Sequence, residues 1–486
     1  MTLQGQADDQ PGIGWEHSTR EALLGELGSR LEPGVLLTDE ELFVSYETDV
    51  LSRKGRAAFV VRPRTTQEVR EILRWAYSHR VPLVVQGANT GPVLGSTPDG
   101  SGLQGVLSTR AMTETLEVDP ANATVRVSAG VDLASLQEAL APHGLTFPID
   151  LGANPTIGGM LAANTGGSRL VRYGDVRRRV LGLEVVLPNK EADVIDLMGA
   201  LRKDNHGPDL KQLFISSAGL LGVVTAAVLD LAPLPKGKAT AYLALEGEAQ
   251  ALQCLRRFRQ ESPEWLSAYE LLSRPALEAL SRHKPSHLAW PFPAGGTPTV
   301  TALVELSGSA SDDELSSRLA QLIATCVGAG EALDGWLGDP GTFWALRHLA
   351  IEAISKEGIL QPFDVSVEIS KLPELCQRAR EEVHRADPSA KCVDFGHFAD
   401  GGVHLIVVRN VQPTEQQESA VANAIYELVR SMGGAFSAEH NIGRENERAW
   451  GKFSSPAYLS LLRSVKQACD PHGILGAIEV PPPASG

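Results

Sequence analysis

Short apolar, β-branched runs alternate with helical stretches through the first half of the chain. "AAFVV", "VPLVV", "ATVRVSAG" and "LGLEVVLP" have the make-up of strands, whereas "TTQEVREILRWAYSHR" and "DLASLQEALAPHG" carry apolar residues at helical spacing. "TTQEV" ahead of that periodicity fits a capped helix start. To about Leu234 the alternation predicts an α+β or α/β domain. "APLPKGKA" (Ala232 to Ala239) is marked by Pro and Gly and reads as a linker. From about Thr240 to Arg430 the order becomes strand, charged helix, strand: "AYLALEG", "AQALQCLRRFRQ", "TVTALVELSG", "DDELSSRLAQLIATCVGAG", "FDVSVEIS" and "KLPELCQRAREEVHRA". The economical arrangement is a cap with an antiparallel sheet and helices on one face. The tail from Met432 carries a loop-like motif and one more helix, "SPAYLSLLRSVKQACD". No internal repeat, coiled coil or low-complexity tract interrupts the pattern.

Composition narrows the class. The 486 residues are 43% hydrophobic and 21% charged, the profile of a globular protein large enough for two or three domains and a buried cofactor. A net charge of -15 without clustered Lys and Arg argues against a nucleic-acid partner. Cys254, Cys326, Cys376, Cys392 and Cys469 are scattered, odd in number and free of any Cys-x-x-Cys, as reduced thiols are. The N-terminal "MTLQGQADDQPGIGWEH" is polar and acidic, unlike a signal peptide, and the longest apolar run, "GLLGVVTAAVL", is far short of a bilayer span. A cytoplasmic enzyme is expected.

Three segments carry candidate chemistry. "VPLVVQGANTGPVLGS" (Val81 to Ser96) and "PIDLGANPTIGGMLAANTGGSRLVRYGDV" (Pro148 to Val176) are glycine-rich, which lets backbone amides approach a ligand and form anion-binding nests. Each alone is more often a turn, and neither is a dinucleotide-binding G-x-G-x-x-G or a Walker loop. The third is "DFGHFADGGVHLIV" (Asp394 to Val407). In one continuous strand His397 and His404, seven apart, would point to opposite faces. Asp400, Gly401 and Gly402 supply turn chemistry, and a reversal there brings the two rings together. A third ligand is available in "SAEHNIG", where Glu439 precedes His440; a His, His, Glu set is usual for a catalytic metal site with one open position. Two histidines alone are more often packed or surface rings, and the others, His79 and His472 among them, are read as structural.

The order of these segments, followed by "DLKQLFISSAGLLGVVTAAVLDL", resembles the FAD domain of the vanillyl-alcohol-oxidase-type flavoproteins. With "YETD", "LGLEVVLP", "LRKDNHGPDLKQLF", "GHFADGGVH" and "SAEHNIGRENERAWGKFSSP", the chain from Tyr46 to Val480 resembles the FAD-binding D-2-hydroxyacid dehydrogenases, the group of D-2-hydroxyglutarate dehydrogenase, D-lactate dehydrogenase and the glycolate oxidase flavin subunit. That resemblance implies an α+β protein: an N-terminal helical extension over 1–45, a two-subdomain PCMH-type FAD-binding domain over 46–238, the cap with the substrate site over 239–430, and a C-terminal helical segment over 431–486 that returns to the flavin.

The same resemblance implies roles for single residues. The flavin would be held by Gln86, Gly87, Ala88, Asn89, Thr90, Gly91, Gly95 and Ser96 at its pyrophosphate, and by Pro148, Asp150, Gly158, Gly159, Asn164, Gly167 and Val223 elsewhere. With neither His nor Cys in the first glycine loop, FAD is expected to be non-covalent. His397, His404 and Glu439 would ligate Zn²⁺ or a similar divalent metal, His440 would be the general base, and Arg347 in "FWALRHLAIEA" would meet the substrate carboxylate. A metal lowers the pKa of a bound hydroxyl, the proton leaves, and hydride passes from the α-carbon to flavin N5, turning a 2-hydroxy acid into a 2-oxo acid. The acceptor is expected to be a quinone or an electron-transfer flavoprotein, and a homodimer is the assembly entertained.

Departures from the family cluster in the substrate pocket. Relatives that accept 2-hydroxyglutarate have a threonine, a lysine and an asparagine where this chain has Ile351, Pro362 and Ile406. Without the lysine a second carboxylate would go unpaired in a desolvated pocket, a cost of several kcal/mol. A D-2-hydroxy monocarboxylate with an apolar side chain is therefore expected. Two alternatives stay open: a flavoprotein acting on another alcohol or specialised metabolite, and a catalytically silent FAD-binding subunit of a complex. Elsewhere "GSEGTLG" has become "SSAGLLG" with Ala218, "LNPGK" has become "LGAIE", "GDGN" has become "ADGG", and "EHGIG" has become "EHNIG".

Overall fold

The computed structural model describes residues 17–292 and 297–482. The polar N-terminal stretch, and with it the first 16 residues of the expected extension, lies outside the described residues; the first described element is a helix over His17–Ser29.

Two sheets build the first half. One has four strands in the order Leu36–Leu37, Phe59–Val61, Gly105–Ser108, Leu83–Gln86, the last three parallel. The other has five antiparallel strands in the order Leu116–Asp119, Thr124–Ser128, Val223–Asp230, Val180–Val186, Val194–Leu197. The "TTQEV" helix runs Thr66–His79 and opens with a reciprocal capping box between Thr65 and Glu68. Its buried face, Val69, Ile72, Leu73 and Trp75, packs on the first sheet. The "APLPKGKA" segment is tied down on both sides: Ala232–Pro233 pairs with Leu145–Thr146, and the first cap strand begins at Gly237.

The cap is one antiparallel seven-stranded sheet. Its strands are β1 (Gly237–Leu245), β2 (Leu266–Ser273), β3 (Val300–Gly308), β4 (Asp334–Gly338), β5 (Ile359–Ser366), β6 (Lys391–Gly396) and β7 (Gly402–Arg409), in the spatial order β4-β1-β3-β2-β6-β7-β5. Helices over Glu248–Glu261, Asp312–Gly328, Leu372–Ala386 and Glu415–Ser431 cover one face, where Leu243, Val304, Leu271, Val365 and Leu405 meet them.

The expectation of helices on one face only is corrected. Tyr242, Leu303, Leu272, Phe395 and Ile406 point the other way and bury shorter helices over Arg274–His283, Pro340–His348 and Ala350–Ser355. Alternation along each strand divides the apolar residues between the faces. "LSAYELLS" and "VTALVELSG" are buried at every position, the mark of strands covered on both sides. This second face carries the polar residues of the site.

The C-terminal segment crosses back to the first half. Leu83 donates its N–H to Ile474 O at 2.7 Å and accepts from Gly476 N at 3.0 Å, adding a bridge beside the Leu83–Gln86 strand. Arg444 donates to Thr97 O and Pro98 O, and Asn441 Nδ2 to Ala162 O at 2.7 Å. Asn441 sits at φ +61, a left-handed conformation that suits glycine or asparagine, which explains how "EHNIG" can stand for the family's "EHGIG".

Candidate active site

β6 and β7 form the hairpin expected from "ADGG". Phe395 pairs with His404, Gly401 takes φ +96, and Asp400 Oδ1 accepts Gly402 N at 2.8 Å to close the turn. The reversal puts the rings of His397 and His404 at 5.2 Å between centroids, 77° apart. Ligand atoms of His397, His404 and Glu439 all lie within 4.8 Å of one another. His397 Nε2 is 3.1 Å from Glu439 Oε1, and its Nδ1 is 2.9 Å from Glu270 Oε1. His440 stacks on His404 at 5.9 Å, and Asp364 faces both rings, Oδ1 at 3.6 Å from His404 Nδ1 and Oδ2 at 3.5 Å from His440 Nδ1.

Electrostatics follow from this crowding. Burial opposes the imidazolium of His397, yet Glu270 and Glu439 outweigh it and hold its pKa well above the ordinary value. Burial likewise opposes ionisation of Glu439, and His397 overcomes it, so the carboxyl stays below its usual range. His404 behaves oppositely: burial and the neighbouring His397 bring it down to about 4, which leaves a neutral imidazole.

The donor set fits a divalent cation. Three carboxylates, Glu270, Glu439 and Asp364, surround the histidines against the guanidinium of Arg347 and the imidazolium of His397, so negative charge remains in excess for an ion to offset. Each candidate histidine ligand also turns Nδ1 toward a carboxylate, the outer-shell arrangement that fixes the tautomer of metal-bound imidazoles.

Arg347 lies on the Pro340–His348 helix, and only 7% of it is exposed. Its Nε and Nη2 both donate to Glu270 Oε2, at 2.8 and 2.7 Å, and the guanidinium stands 5.0 Å over the Phe395 ring. It is thus half engaged rather than free. Of the three altered positions, Pro362 and Ile406 are cross-strand partners. Ile406 is buried against Phe395, while Pro362 is exposed on the edge strand and Ile351 is exposed one turn beyond Arg347.

The two glycine-rich loops lie against one another, and the first also meets the C-terminal segment. A Cβ on Gly87 would lie 2.3 Å from Thr156 Oγ1, one on Gly158 2.9 Å from the Ala129 Cβ, and one on Gly95 2.8 Å from Ile442 O, so these glycines permit loop-on-loop contact. Gln86 Nε2 donates to Tyr46 O and Ser96 O, and Asn89, at φ +58, holds Thr48 O, Ser96 and Thr97 with its side chain. Among the described residues the amides of Ala88, Asn89, Thr90 and Gly91 have no protein acceptor, a set of donors that fits a pyrophosphate. Gly159 and Pro148 border the same loops, and a Cβ on Gly166 would stand 3.8 Å from Glu439 Oε1, which joins them to the histidine cluster.

Three expected flavin contacts are otherwise engaged. The Asn164 side chain bonds Asp175 and Arg177 N while its backbone caps a helix at φ +54. Asp150 pairs with Arg169 and packs on Gly167, and the Val223 side chain is fully buried in the core, leaving only its backbone for a ligand.

Sequence reasoning missed Glu270, Asp364 and a third group built on Glu305. Arg169 reaches from the "NTGGSR" loop to Glu305 with paired bonds of 2.8 and 2.9 Å, and the same carboxylate accepts from Ser267 Oγ and Trp344 Nε1. The signal was present: "LSAYELLS", "TALVELSG" and "PFDVSV" each embed one acid in an apolar strand, and such an acid needs a partner.

Residues 57–193 match the FAD binding domain family, and residues 234–480 match the family described as FAD linked oxidases, C-terminal domain. Mitochondrial D-2-hydroxyglutarate dehydrogenase of Bos taurus is 35% identical over 93% of this chain and 82% of its own length. The D-2-hydroxyglutarate–pyruvate transhydrogenase of Saccharomyces cerevisiae is 31% identical over 90% of this chain and 89% of its own. The p-cresol methylhydroxylase structure superposes with a TM-score of 0.71 at 16% identity, covering 95% of this chain and 96% of that one, which speaks for the fold alone. The protein is an FAD-dependent oxidoreductase with a PCMH-type fold. Within that class the chain belongs to the FAD-binding D-2-hydroxyacid dehydrogenase family.

Proposed function

We propose that the protein oxidises a D-2-hydroxy monocarboxylate with an apolar side chain to the 2-oxo acid, using non-covalent FAD and a divalent metal of the Zn²⁺ type. The observation that carries the metal part is the convergence of His397, His404 and Glu439 within 4.8 Å in a pocket with excess negative charge. These three residues would hold the ion, with Glu270 and Asp364 orienting the imidazoles. When bound, the flavin supplies a hydride acceptor and the metal a Lewis acid that lowers the pKa of a hydroxyl by several units.

The chain's own residues do the rest. Arg347 keeps the Nη1/Nη2 edge of its guanidinium for a substrate carboxylate, because Glu270 occupies the Nε/Nη2 edge. His440 takes the hydroxyl proton at Nε2, since its Nδ1 faces Asp364, whose charge stabilises the imidazolium formed. Phe395 and Ile406 present an apolar wall where a second carboxylate would lack a counter-charge.

A second reading is D-2-hydroxyglutarate itself, favoured by the names of the relatives at 30–35% identity. Anaerobic titration of the purified protein with D-mandelate, D-phenyllactate, D-lactate and D-2-hydroxyglutarate, with and without a chelator, separates the two. Chelator-sensitive bleaching of the flavin by the apolar acids is expected; preference for the diacid supports the second reading. Bleaching that ignores the chelator refutes the metal role, and yellow colour that survives acid precipitation refutes non-covalent FAD. Electrons would leave to a quinone or an electron-transfer flavoprotein. No described helix is long and apolar enough to cross a membrane, and a cytoplasmic site of action remains our proposal beside relatives named as mitochondrial.

A further inference from the structure

We infer that Glu270 is a positioning residue that sets the spacing between the metal site and the carboxylate-binding arginine, an inference that rests on the metal reading above. Glu270 lies on β2, a central strand of the cap sheet, with Glu270 paired to Leu303 on one side and Leu271 to Gly396 on the other. Its side chain is essentially buried, and each oxygen has a separate task. Oε1 takes the Nδ1 proton of His397 at 2.9 Å, while Oε2 takes Nε and Nη2 of Arg347 at 2.8 and 2.7 Å.

One rigid planar group therefore fixes both an imidazole that would ligate the metal and the guanidinium that would hold a carboxylate. His397 is compelled to present Nε2, the nitrogen 3.1 Å from Glu439, toward the ion position. The guanidinium of Arg347 is held on the same side of the sheet as His404, whose ring is 5.1 Å from Phe395, the aromatic beneath the guanidinium. A 2-hydroxy acid carries its hydroxyl and carboxylate on adjacent atoms, so it can satisfy both points only while their separation is held. Burial without both partners would be costly for this carboxylate.

The test uses the FAD-loaded protein, Zn²⁺ or Co²⁺ as the probe, and competition with a chromogenic chelator as the first readout. Glu270→Gln keeps the shape but removes the charge and one acceptor. We expect 10- to 100-fold weaker metal binding, the usual cost of losing an outer-shell partner, and a KM for the hydroxy acid raised about tenfold, the cost of about 1.4 kcal/mol in binding. Because Glu270→Gln leaves Arg347 buried without its counter-charge, the double variant Glu270→Gln/Arg347→Met serves if the single one folds poorly, and it should show the same loss of metal affinity. His397→Ala is the reference. If it weakens metal binding while neither Glu270 variant does, the inference is overturned alone. If His397→Ala itself leaves the affinity unchanged, the metal reading falls and the inference with it.

Discussion

Asp364 Oδ2 accepts the backbone N–H of Glu439 at 2.7 Å, and the N–H of His440 at 3.0 Å as well. A single carboxylate on the edge strand β5 thus docks the C-terminal loop against the cap, at the two residues whose side chains are assigned to metal and proton. The same carboxylate faces the rings of His404 and His440. Asp364→Ala should lower kcat/KM by at least 100-fold and reduce stability by about 1–3 kcal/mol, the cost of leaving buried donors unsatisfied. Asp364→Asn, which keeps an acceptor for the loop, should recover most of the stability and little of the activity. Steady-state kinetics and urea unfolding on both variants check this, and wild-type activity in Asp364→Asn would show that the loop contact alone matters.

Specificity should respond to the cross-strand pair Pro362 and Ile406. Pro362→Lys with Ile406→Asn restores the polar residues found in relatives that accept the diacid. The ratio of kcat/KM for D-2-hydroxyglutarate over an apolar monocarboxylate should rise at least tenfold. Ile406 is 2% exposed, so burying an amide there should also cost about 1–3 kcal/mol. An unchanged ratio would place selectivity elsewhere in the pocket.

The union of the two halves should depend on Arg169. Glu305 is fully buried, and Arg169→Ala would strand its charge, a loss of about 3–5 kcal/mol. Arg169→Ala/Glu305→Gln should be less destabilised than Arg169→Ala, because the orphaned anion is gone. Thermal unfolding of the three proteins decides it; a double variant weaker than the single would contradict the ion-pair account.

A pH dependence should trace to Asp394. This side chain is fully buried beside Arg380 and Glu248, its Oδ2 has no partner among the described residues, and burial pushes its carboxyl up from 3.8 to about 6. For an acid whose folded pKa is raised, stability is highest while it is protonated in both states and is lost as pH rises from 3.8 to about 6. The loss is on the order of 3 kcal/mol. Relative to Asp394→Asn, which does not titrate, the wild type should therefore weaken across that window and hold a constant deficit above it. Parallel unfolding curves at each pH measure the difference, and a flat one removes Asp394 as the cause.

How far the sequence reached can be judged residue by residue. The His397/His404 hairpin was legible because "ADGG" is local turn chemistry, and the capped helix at Thr65 because the cap lies within one turn of its partners. Glu270 and Arg347 were not legible as a pair: 77 residues separate them, and only sheet order and helix placement make them neighbours. The second covered face of the cap was hinted at by "LSAYELLS", but a run without apolar-polar alternation gives no sign of which elements lie on either side. Asn164 shows what spacing alone does not reveal: its side chain is engaged by Asp175 and Arg177, so the expected flavin contact would fall to its backbone.

The bridge between Leu83 and Leu475 has a consequence for the order in which the molecule can be made. The strand beside the first glycine loop receives its last hydrogen bonds from residues that are made only after the whole cap. A chain released early would hold nearly the whole cap and most of the flavin-binding half, yet lack the flank of the strand that presents Gln86 to Gly91. Loading of the cofactor should therefore wait for the segment around Leu475, and a product cut short of it should be marked by the absence of its colour.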